Sequence, residues 1–188
     1  MPKTNDLAKR CKDNVRPYLL WLAVSALLVT ADQISKLLIV KYLPEGATVR
    51  VIPYLFDFVY VENRGAAWGM LANSRWVFIV ISSVAIIMIA GVLLYTARNR
   101  KLFVIPLVLI FAGGIGNMID RVSKGYVVDF IQFDFFKSFP VFNVADSYVS
   151  VGGVMMLIYL LFIDRSILSD KKKEENERTE NGGGDAGA

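Results

Sequence analysis

Residues 102–121 read LFVIPLVLIFAGGIGNMIDR, and this stretch decides the fold. Residues 102–119 carry no charged side chain, and about 20 apolar residues are enough for a helix to cross the bilayer core. The glycine cluster at 113–116 would let a neighbouring helix approach closely. Asn117 and Asp120 are three positions apart, so they share one face of a helix. The stretch therefore predicts a membrane-spanning helix with a packing face and a polar end.

Three further apolar segments have a similar length, at residues 18–40, 76–97 and 141–163. Hydrophobic residues make up 55% of the 188, which is more than a soluble domain of this size needs. The first apolar run is too long for a secretory signal and lacks a small-residue cleavage site, so we expect it to remain as a helix that begins near Pro17. The predicted fold class is a mainly α membrane protein, a bundle of four transmembrane helices.

The distribution of basic residues predicts the orientation of these helices in the membrane. Lysine and arginine cluster before the first span, between the second and third spans, and after the fourth. Under the positive-inside rule, both termini are cytoplasmic and the loops at 42–75 and 120–140 lie outside. The net charge of +4 is explained by these cytoplasmic anchors, so we predict no nucleic-acid partner. Residues 169–188 are charged and then glycine-rich, which predicts a disordered cytoplasmic tail.

The outer loop at 42–75 is predicted to form a small extracytoplasmic β-sheet. Residues 49–61 are rich in valine, isoleucine, tyrosine and phenylalanine with partial alternation, which is typical of short strands. The glycine-rich stretch from Asn63 to residue 69 follows and favours a turn. Because this surface is apolar and aromatic, we expect the sheet and loop to rest on the membrane surface.

Most of the polar residues embedded in apolar sequence fall at one level, near the outer interface. They come from the first, third and fourth spans and from the two outer loops, and comprise Asp32, Lys36, Asn63, Arg64, Asn117, Asp120, Asp129, Asn143 and Asp146. Several of these residues, considered one at a time, could have a purely structural role. Asp32 and Lys36 are four apart and could be a neutralising ion pair, whereas Asn143 could be only a helix cap. Ionisable groups near lipid are costly, so their convergence predicts a functional site.

Composition narrows the chemistry that this site could perform. The chain has no histidine and one cysteine, Cys11, which excludes a Ser-His or Cys-His pair, an imidazole ligand for zinc and an internal disulfide. We predict no metal and no cofactor. Two neighbouring carboxylates cannot both ionise easily, so one would act as an acid and the other as a base. Peptide hydrolysis by such a pair is the leading hypothesis, although the residues alone do not choose between Asp120 and Asp129.

Three other functions remain open at this level. An ion-coupled transporter could use the same aspartates, but the inner half of every span is almost free of charge. A noncatalytic membrane assembly would explain the spans but not the repeated Asn-x-x-Asp pairs. A Ser-Lys protease would need Ser35 and Lys36, or Ser123 and Lys124, to meet, and adjacent residues on a helix point apart.

Five blocks of sequence, in order from about residue 31 to 153, resemble the bacterial lipoprotein signal peptidase family (signal peptidase II). They are Asp32-Gln33-x-x-Lys36, Asn63-x-Gly65-Ala66-Ala67-Trp68-Gly69, Gly116-Asn117-x-x-Asp120-Arg121, Val127-Val128-Asp129-Phe130 and Phe142-Asn143-x-Ala145-Asp146-Ser147. The resemblance implies an intramembrane aspartic endopeptidase of the bacterial cytoplasmic membrane. It implies cleavage of diacylglyceryl-modified prolipoproteins just before the lipidated cysteine. From the four spans and the tail, we expect a single catalytic domain in residues 1–168. We expect a monomer whose partners are this substrate and membrane lipid.

The resemblance also implies a role for each site residue. Asp129 and Asp146 would form the catalytic dyad. The residues expected to bind substrate or support the dyad are Asp32, Lys36, Asn63, Gly65, Asn117, Asp120, Arg121, Asn143 and Ala145. The active site would lie near the outer face of the membrane.

Overall fold

The computed structural model describes residues 4–65, 74–96 and 101–163. It contains four long helices, α1 (Thr4–Tyr42), α2 (Arg75–Thr96), α3 (Lys101–Ser123) and α4 (Val144–Ile158), the last continuing as a π-helical turn at Tyr159–Ile163. Each includes a segment long and apolar enough to cross a membrane, namely Val15–Tyr42, Arg75–Thr96, Leu102–Ser123 and Val144–Ile163. The predicted four-helix membrane fold is therefore confirmed. The predicted tail at 169–188 and residues 66–69 of the outer motif lie outside the described residues.

Two helix starts differ from those expected from the sequence. The first helix does not begin near Pro17, because α1 already begins at Thr4 and Pro17 lies inside it. Residues 7–10, Leu-Ala-Lys-Arg, all favour helix, so the helix extends before the apolar run. The fourth helix begins at Val144 rather than at 141, because Asn143 caps it and Phe142 forms a β-bridge with Ile131.

A three-stranded antiparallel sheet joins the outer loop to the segment after α3. The strands are β1 (Thr48–Ile52), β2 (Phe56–Asn63) and β3 (Val127–Phe133), in the spatial order β1-β2-β3. The first two strands confirm the prediction for residues 49–61, whereas β3 was not predicted. Pairing of β2 with β3 brings Val61 opposite Asp129 and Asn63 opposite Val127. This register puts Asn63 beside the carboxylate that β3 carries.

Close packing of α3 against α1 and α4 uses one glycine of the 113–116 cluster and one glycine of α4. A Cβ atom at Gly116 would lie 2.5 Å from Oδ2 of Asp32 on α1, and one at Gly152 on α4 would lie 2.8 Å from the Pro106 carbonyl oxygen of α3. A side chain at either position would therefore force the helices apart. The prediction of a glycine packing face is confirmed, and the close approach brings the polar residues of three helices together.

The sheet is attached where α1 ends and α4 begins. Ile39 of α1 and Leu43, which directly follows α1, form a buried cluster with Tyr60 of β2 and with Val128 and Phe130 of β3. Burial of these apolar side chains fixes the sheet against the bundle. As a result, Asp129 lies close to the first turn of α4.

Candidate active site

Asp129 is a buried carboxylate that accepts two amide hydrogen bonds. Its side chain extends from β3, and the residue is 2% exposed. Asn63 Nδ2 donates to Oδ2 at 2.7 Å, and Asn143 Nδ2 donates to Oδ1 at 2.7 Å. Asn63 is itself held by the Gly65 N–H, which donates to its Oδ1 at 3.0 Å. Both oxygens of Asp129 are thus fixed by neutral donors.

Asp146 occupies the first turn of α4, where the helix dipole favours an acidic side chain. The backbone N–H of Asn143 donates to Oδ2 at 3.1 Å, and Asn117 Nδ2 donates to Oδ1 at 2.7 Å. In return, Asn143 Oδ1 accepts from the Asp146 N–H at 2.9 Å, which completes a capping box. The capping interpretation of Asn143 is correct, and the same residue also contacts Asp129.

Asn143 therefore links the two carboxylates directly. It is fully buried, its amide donates to Asp129, and its main chain donates to Asp146. The second hydrogen of its amide group donates to Asn117 Oδ1 at 3.1 Å. Because both amide hydrogens donate and the amide oxygen accepts, the orientation of this side chain is fixed. The two aspartates are held at one position, although they come from a strand and a helix.

Lys36 forms a second, ionic cluster behind this pair. Its side chain is 0% exposed, and its ammonium contacts Asp32 Oδ2 at 2.9 Å, Asp120 Oδ2 at 2.9 Å and Asn117 Oδ1 at 3.0 Å. These contacts use all three hydrogens of the ammonium group. The expected ion pair between Asp32 and Lys36 is present, and Asp120 joins it. Asn117 connects the cluster to Asp146.

The carboxylates of the ionic cluster also fix the backbone around the site. Asp32 Oδ1 accepts the N–H of the buried Ala145 at 2.9 Å, and Asp120 Oδ2 lies 3.4 Å from the Val128 N–H. Lys124 donates to Asp120 Oδ1 at 3.0 Å. Asp120 thus faces Lys36 and Lys124, and it contacts neither Asn63 nor Asn143. The structure separates two aspartates that the residues alone did not distinguish.

A cavity of about 590 Å³ opens onto both Asp129 and Asp146. Its polar side contains the site residues Asn63, Gly65 and Arg121, and its apolar side is a wall of phenylalanine rings. The rings of Phe133, Phe139 and Phe142 have centroids 5.1–5.9 Å apart. The Arg121 guanidinium carbon lies 4.9 Å from the centroid of Phe78 on α2, a cation–π contact. The cavity has room for an extended peptide beside the two carboxylates.

Burial and the neighbouring charge change the acidity of Asp129. Removal from water, together with the Asp146 carboxylate, raises the pKa of Asp129 to about 7, while the amides of Asn63 and Asn143 oppose the shift. Near neutral pH, Asp129 therefore exists in both protonated and ionised forms. A carboxyl group in this state is able to donate and to accept a proton.

Five of the expected site residues line this cavity, namely Asn63, Gly65, Arg121, Asp129 and Asp146. Several other cavity residues were not expected from the sequence. These are the phenylalanines of the wall and, on α4, Ser147, Ser150 and Val151. Ser150 is four residues after Asp146, and Phe133 is four residues after Asp129. Helical and strand periodicity around the two aspartates would have identified both.

The adjacent Ser-Lys pairs do not form catalytic contacts. The Ser35 hydroxyl donates to the Asp32 carbonyl at 2.7 Å, while Lys36 contacts carboxylates. The Ser123 hydroxyl donates to the Ile119 carbonyl at 2.6 Å, and Lys124 contacts Asp120. Neither lysine is hydrogen-bonded to its neighbouring serine, so neither could act as its base.

Comparison with known proteins gives consistent matches over most of the chain. The family model of signal peptidase (SPase) II matches residues 24–162. Lipoprotein signal peptidase of Clostridioides difficile (strain 630) is 39% identical over 149 residues, which cover 78% of this chain and 97% of that protein. Lipoprotein signal peptidase of Caldanaerobacter subterraneus subsp. tengcongensis is 44% identical over 141 residues, which cover 75% of this chain and 95% of that protein.

Two solved structures of bacterial membrane enzymes share the fold. One, solved at 2.3 Å resolution by the in meso method, has a TM-score of 0.71 and 34% identity, covering 76% of this chain and 87% of that one. The other, at 1.9 Å resolution, has a TM-score of 0.68 and 32% identity, covering 77% of this chain and 94% of that one.

Proposed function

The chain belongs to the signal peptidase II family, and on that premise we propose that Asp129 and Asp146 activate the water that cleaves the signal peptide of a lipoprotein precursor. The protein is a membrane protease, and its substrate is a prolipoprotein. In the proposed reaction the substrate carries diacylglycerol on a cysteine, and the scissile bond lies just before that cysteine. The chain's own carboxylates supply the acid and the base, so the proposed reaction uses no cofactor.

The observation that carries this proposal is the bridge formed by Asn143. One residue donates hydrogen bonds to Asp129 through its side chain and to Asp146 through its backbone. Both carboxylates line the same cavity, which is large enough for a peptide. A water molecule and a peptide carbonyl in this cavity could reach both acids, as acid–base hydrolysis requires.

The environments of the two acids support different roles. Asp146 lies at the N-terminus of α4 and accepts from Asn117, whose oxygen in turn accepts from the Lys36 ammonium. These features favour its anion, so Asp146 is the base. Asp129 has only amide partners, and burial with the Asp146 charge raises its pKa to about 7. Asp129 is therefore the acid that holds the proton before reaction.

The reaction follows from this assignment. Asp146 takes a proton from water as the water oxygen forms a bond to the scissile carbonyl carbon. Protonated Asp129 donates a hydrogen bond to the carbonyl oxygen, which stabilises the charge that develops there. The C–N bond then breaks, the leaving amine receives a proton from the pair, and the new carboxyl group is released with the signal peptide. Arg121, which lines the cavity, is a substrate-binding residue in this proposal.

The other site residues hold this geometry. Asn63, Asn117 and Asn143 orient the carboxylates, and Gly65 holds Asn63. Lys36 fixes Asn117 and neutralises Asp32 and Asp120, so it acts through Asn117 on Asp146. Ala145, whose N–H donates to Asp32, fixes the start of α4.

The substrate and the basic residues together support a location for the site. A diacylglyceryl group leaves the bilayer only at a cost of about 0.8 kcal/mol per buried methylene, so the scissile bond stays at the membrane interface. The two aspartates lie where α1 ends, α4 begins and the sheet attaches. We propose that this end faces the outer side of the bacterial cytoplasmic membrane, that both termini are cytoplasmic, and that the enzyme acts as a monomer.

The test is cleavage of a purified diacylglyceryl prolipoprotein by the full chain in lipid or detergent. Wild type is expected to cut it, Asp129→Asn and Asp146→Asn are expected to lose turnover, and an unlipidated precursor is expected to resist cleavage. Asp134→Asn is the matched control, because Asp134 follows β3 but lies outside the cavity. Retained turnover in either dyad variant would remove that carboxylate from the mechanism. Equal cutting of the unlipidated precursor would contradict the lipid requirement.

A further inference from the structure

One hydroxyl group in the cavity is not used by the proposed chemistry. Ser150 lies on α4 four residues after Asp146, lines the cavity and is exposed. Within residues 4–65, 74–96 and 101–163, its hydroxyl makes no hydrogen bond. By contrast, Ser147 also lines the cavity, but its hydroxyl donates to the Asn143 carbonyl at 3.1 Å. Ser150 therefore presents a free donor and acceptor to whatever fills the cavity.

A substrate in this cavity would need such a partner. A peptide bond within a helix is shielded, so the segment near the scissile bond must be extended to reach the two aspartates. Extension frees backbone N–H and C=O groups, and at membrane depth these groups are tolerated only where protein satisfies them. Six of the residues that line the cavity are apolar, and their side chains offer no strong donor or acceptor; they are Phe133, Phe139, Pro140, Val141, Phe142 and Val151.

We infer that the Ser150 hydroxyl binds a backbone group of the substrate on the N-terminal side of the scissile bond, and this inference rests on the proposed function. From Asp146 to Ser150 the helix rises about 6 Å, away from the outer end of α4. An extended chain covers about 3.3 Å per residue, so Ser150 is level with the second residue before the scissile bond. The signal peptide enters the bilayer in this direction, so the contact falls on its final residues.

Ser150 is then a second determinant of substrate position. The dyad recognises the scissile bond, and Ser150 recognises the main chain one turn deeper. Because a backbone contact does not depend on side chains, it would act on signal peptides of different sequence. The phenylalanine rings that line the cavity would then contact the side chains of the same residues.

The experiment combines Ser150→Ala with single amide-to-ester replacements in a synthetic diacylglyceryl lipopeptide, using the full chain. An ester removes one N–H and weakens one carbonyl acceptor, so it reports a backbone hydrogen bond. Ser150→Ala is expected to lower kcat/KM about threefold to tenfold, as for loss of one hydrogen bond. The ester about two residues before the scissile bond is expected to be harmful in wild type and nearly neutral in Ser150→Ala.

Two further variants keep the test decisive. Ser150→Thr retains the hydroxyl and is expected to keep the sensitivity to that ester, whereas Ser150→Cys keeps the size of the side chain and is expected to lose it. Ser83→Ala is the control, because Ser83 lies in α2 and does not line the cavity. Additive losses at every ester position, or unchanged kcat/KM in Ser150→Ala, would overturn the inference while leaving the proposed function intact. Failure of wild type to cleave the all-amide lipopeptide would instead overturn the proposed function.

Discussion

Two buried clusters of aspartates lie side by side in this protein, and they are stabilised in opposite ways. In the ionic cluster, Asp32 and Asp120 share the Lys36 ammonium, and Lys124 adds a second cation. In the amide-lined pair, Asp129 and Asp146 accept hydrogen bonds from Asn63, Asn117 and Asn143. Among the described residues, no lysine or arginine forms a salt bridge with either member of the pair.

The difference predicts which cluster is structural and which is reactive. Carboxylates that are paired with ammonium groups remain ionised, and removal of a partner leaves a buried charge uncompensated. Carboxylates that have only amide donors still repel each other, so the pair retains a proton near neutral pH. A shared proton is what acid–base catalysis needs. Asn117 hydrogen-bonds to both clusters, so in the proposed mechanism the ionic cluster orients the amide-lined pair.

The largest expected effect comes from the same substitution made in each cluster. Asp129→Asn is expected to lower kcat about 10²–10⁴-fold by removing a proton-transfer group, with little change in thermal stability. Asp120→Asn is expected to act mainly on stability, by about 2–3 kcal/mol, because its hydrogen bonds with the Lys36 and Lys124 ammonium groups lose the carboxylate charge. Kinetics per folded molecule and thermal unfolding measure the two effects. A loss of kcat in Asp120→Asn equal to that in Asp129→Asn, at normal stability, would reverse the assignment.

A second substitution tests the ionic cluster by itself. Lys36→Met leaves two buried carboxylates without their shared cation and is expected to destabilise the protein by about 3–5 kcal/mol. Lys124→Met removes the second cation that contacts Asp120. Because the Lys124 side chain is 27% exposed, this variant is expected to be destabilised by only about 0.5–1 kcal/mol. Unfolding midpoints in one detergent provide the measurement. Similar losses of stability in both variants would contradict the expectation that the buried lysine contributes more than the partly exposed one.

The pH dependence of cleavage tests the amide-lined pair. Because burial and the Asp146 charge raise the pKa of Asp129 to about 7, its proton is lost above that pH. In the proposed mechanism the protonated form is active, so kcat/KM is expected to fall about tenfold per pH unit on the alkaline side. Profiles of kcat/KM against pH, with Asp134→Asn as control, measure this. A flat profile from pH 7 to 9 would exclude Asp129 as the acid.

The same pKa makes a prediction about stability. A pKa that is higher in the folded state means that the folded protein binds the proton more tightly. The contribution of Asp129 to the free energy of unfolding is therefore fully present at low pH and decreases as the pH rises from about 4 to 7. For each kcal/mol lost, the unfolding midpoint is expected to fall about 2–4 °C in a protein of this size. Asp129→Asn is expected to remove this part of the pH dependence of stability. If the unfolding midpoint of the variant changed with pH as it does in wild type, the raised pKa of Asp129 would be contradicted.

The smallest expected effect comes from removing one of the side-chain amides that donate to the amide-lined pair. The Asn63 amide lowers the pKa of Asp129, so Asn63→Ala is expected to raise that pKa further and to move the alkaline limb to higher pH. Loss of one hydrogen bond predicts a threefold to tenfold fall in kcat/KM at pH 7. Glu62→Gln is the neighbouring control, because Glu62 bonds Arg64 and Tyr60 rather than Asp129. A shift of the limb to lower pH would contradict the role of Asn63.

Much of this architecture was predictable because membrane and strand signals are local. Apolar length predicted the four spans, and β-branched and aromatic residues predicted β1 and β2. Helix starts were less predictable. Pro17, which was expected near the start of the first helix, lies inside α1, and the fourth apolar segment begins with extended residues before Asn143 caps α4. The strand β3 was missed because its pairing partner, β2, is distant in sequence.

The sequence by itself determined that the protein spans a membrane, which acids it has for chemistry, and that neither histidine nor a second cysteine is available. Only the tertiary structure decided which of those acids meet. Asp120 and Asp129 are nine positions apart, yet one joins Lys36 and the other joins Asn143. The reason is physical. Helix packing through Gly116 and the register of β3 against β2 set the direction of each carboxylate, and both depend on contacts between distant parts of the chain.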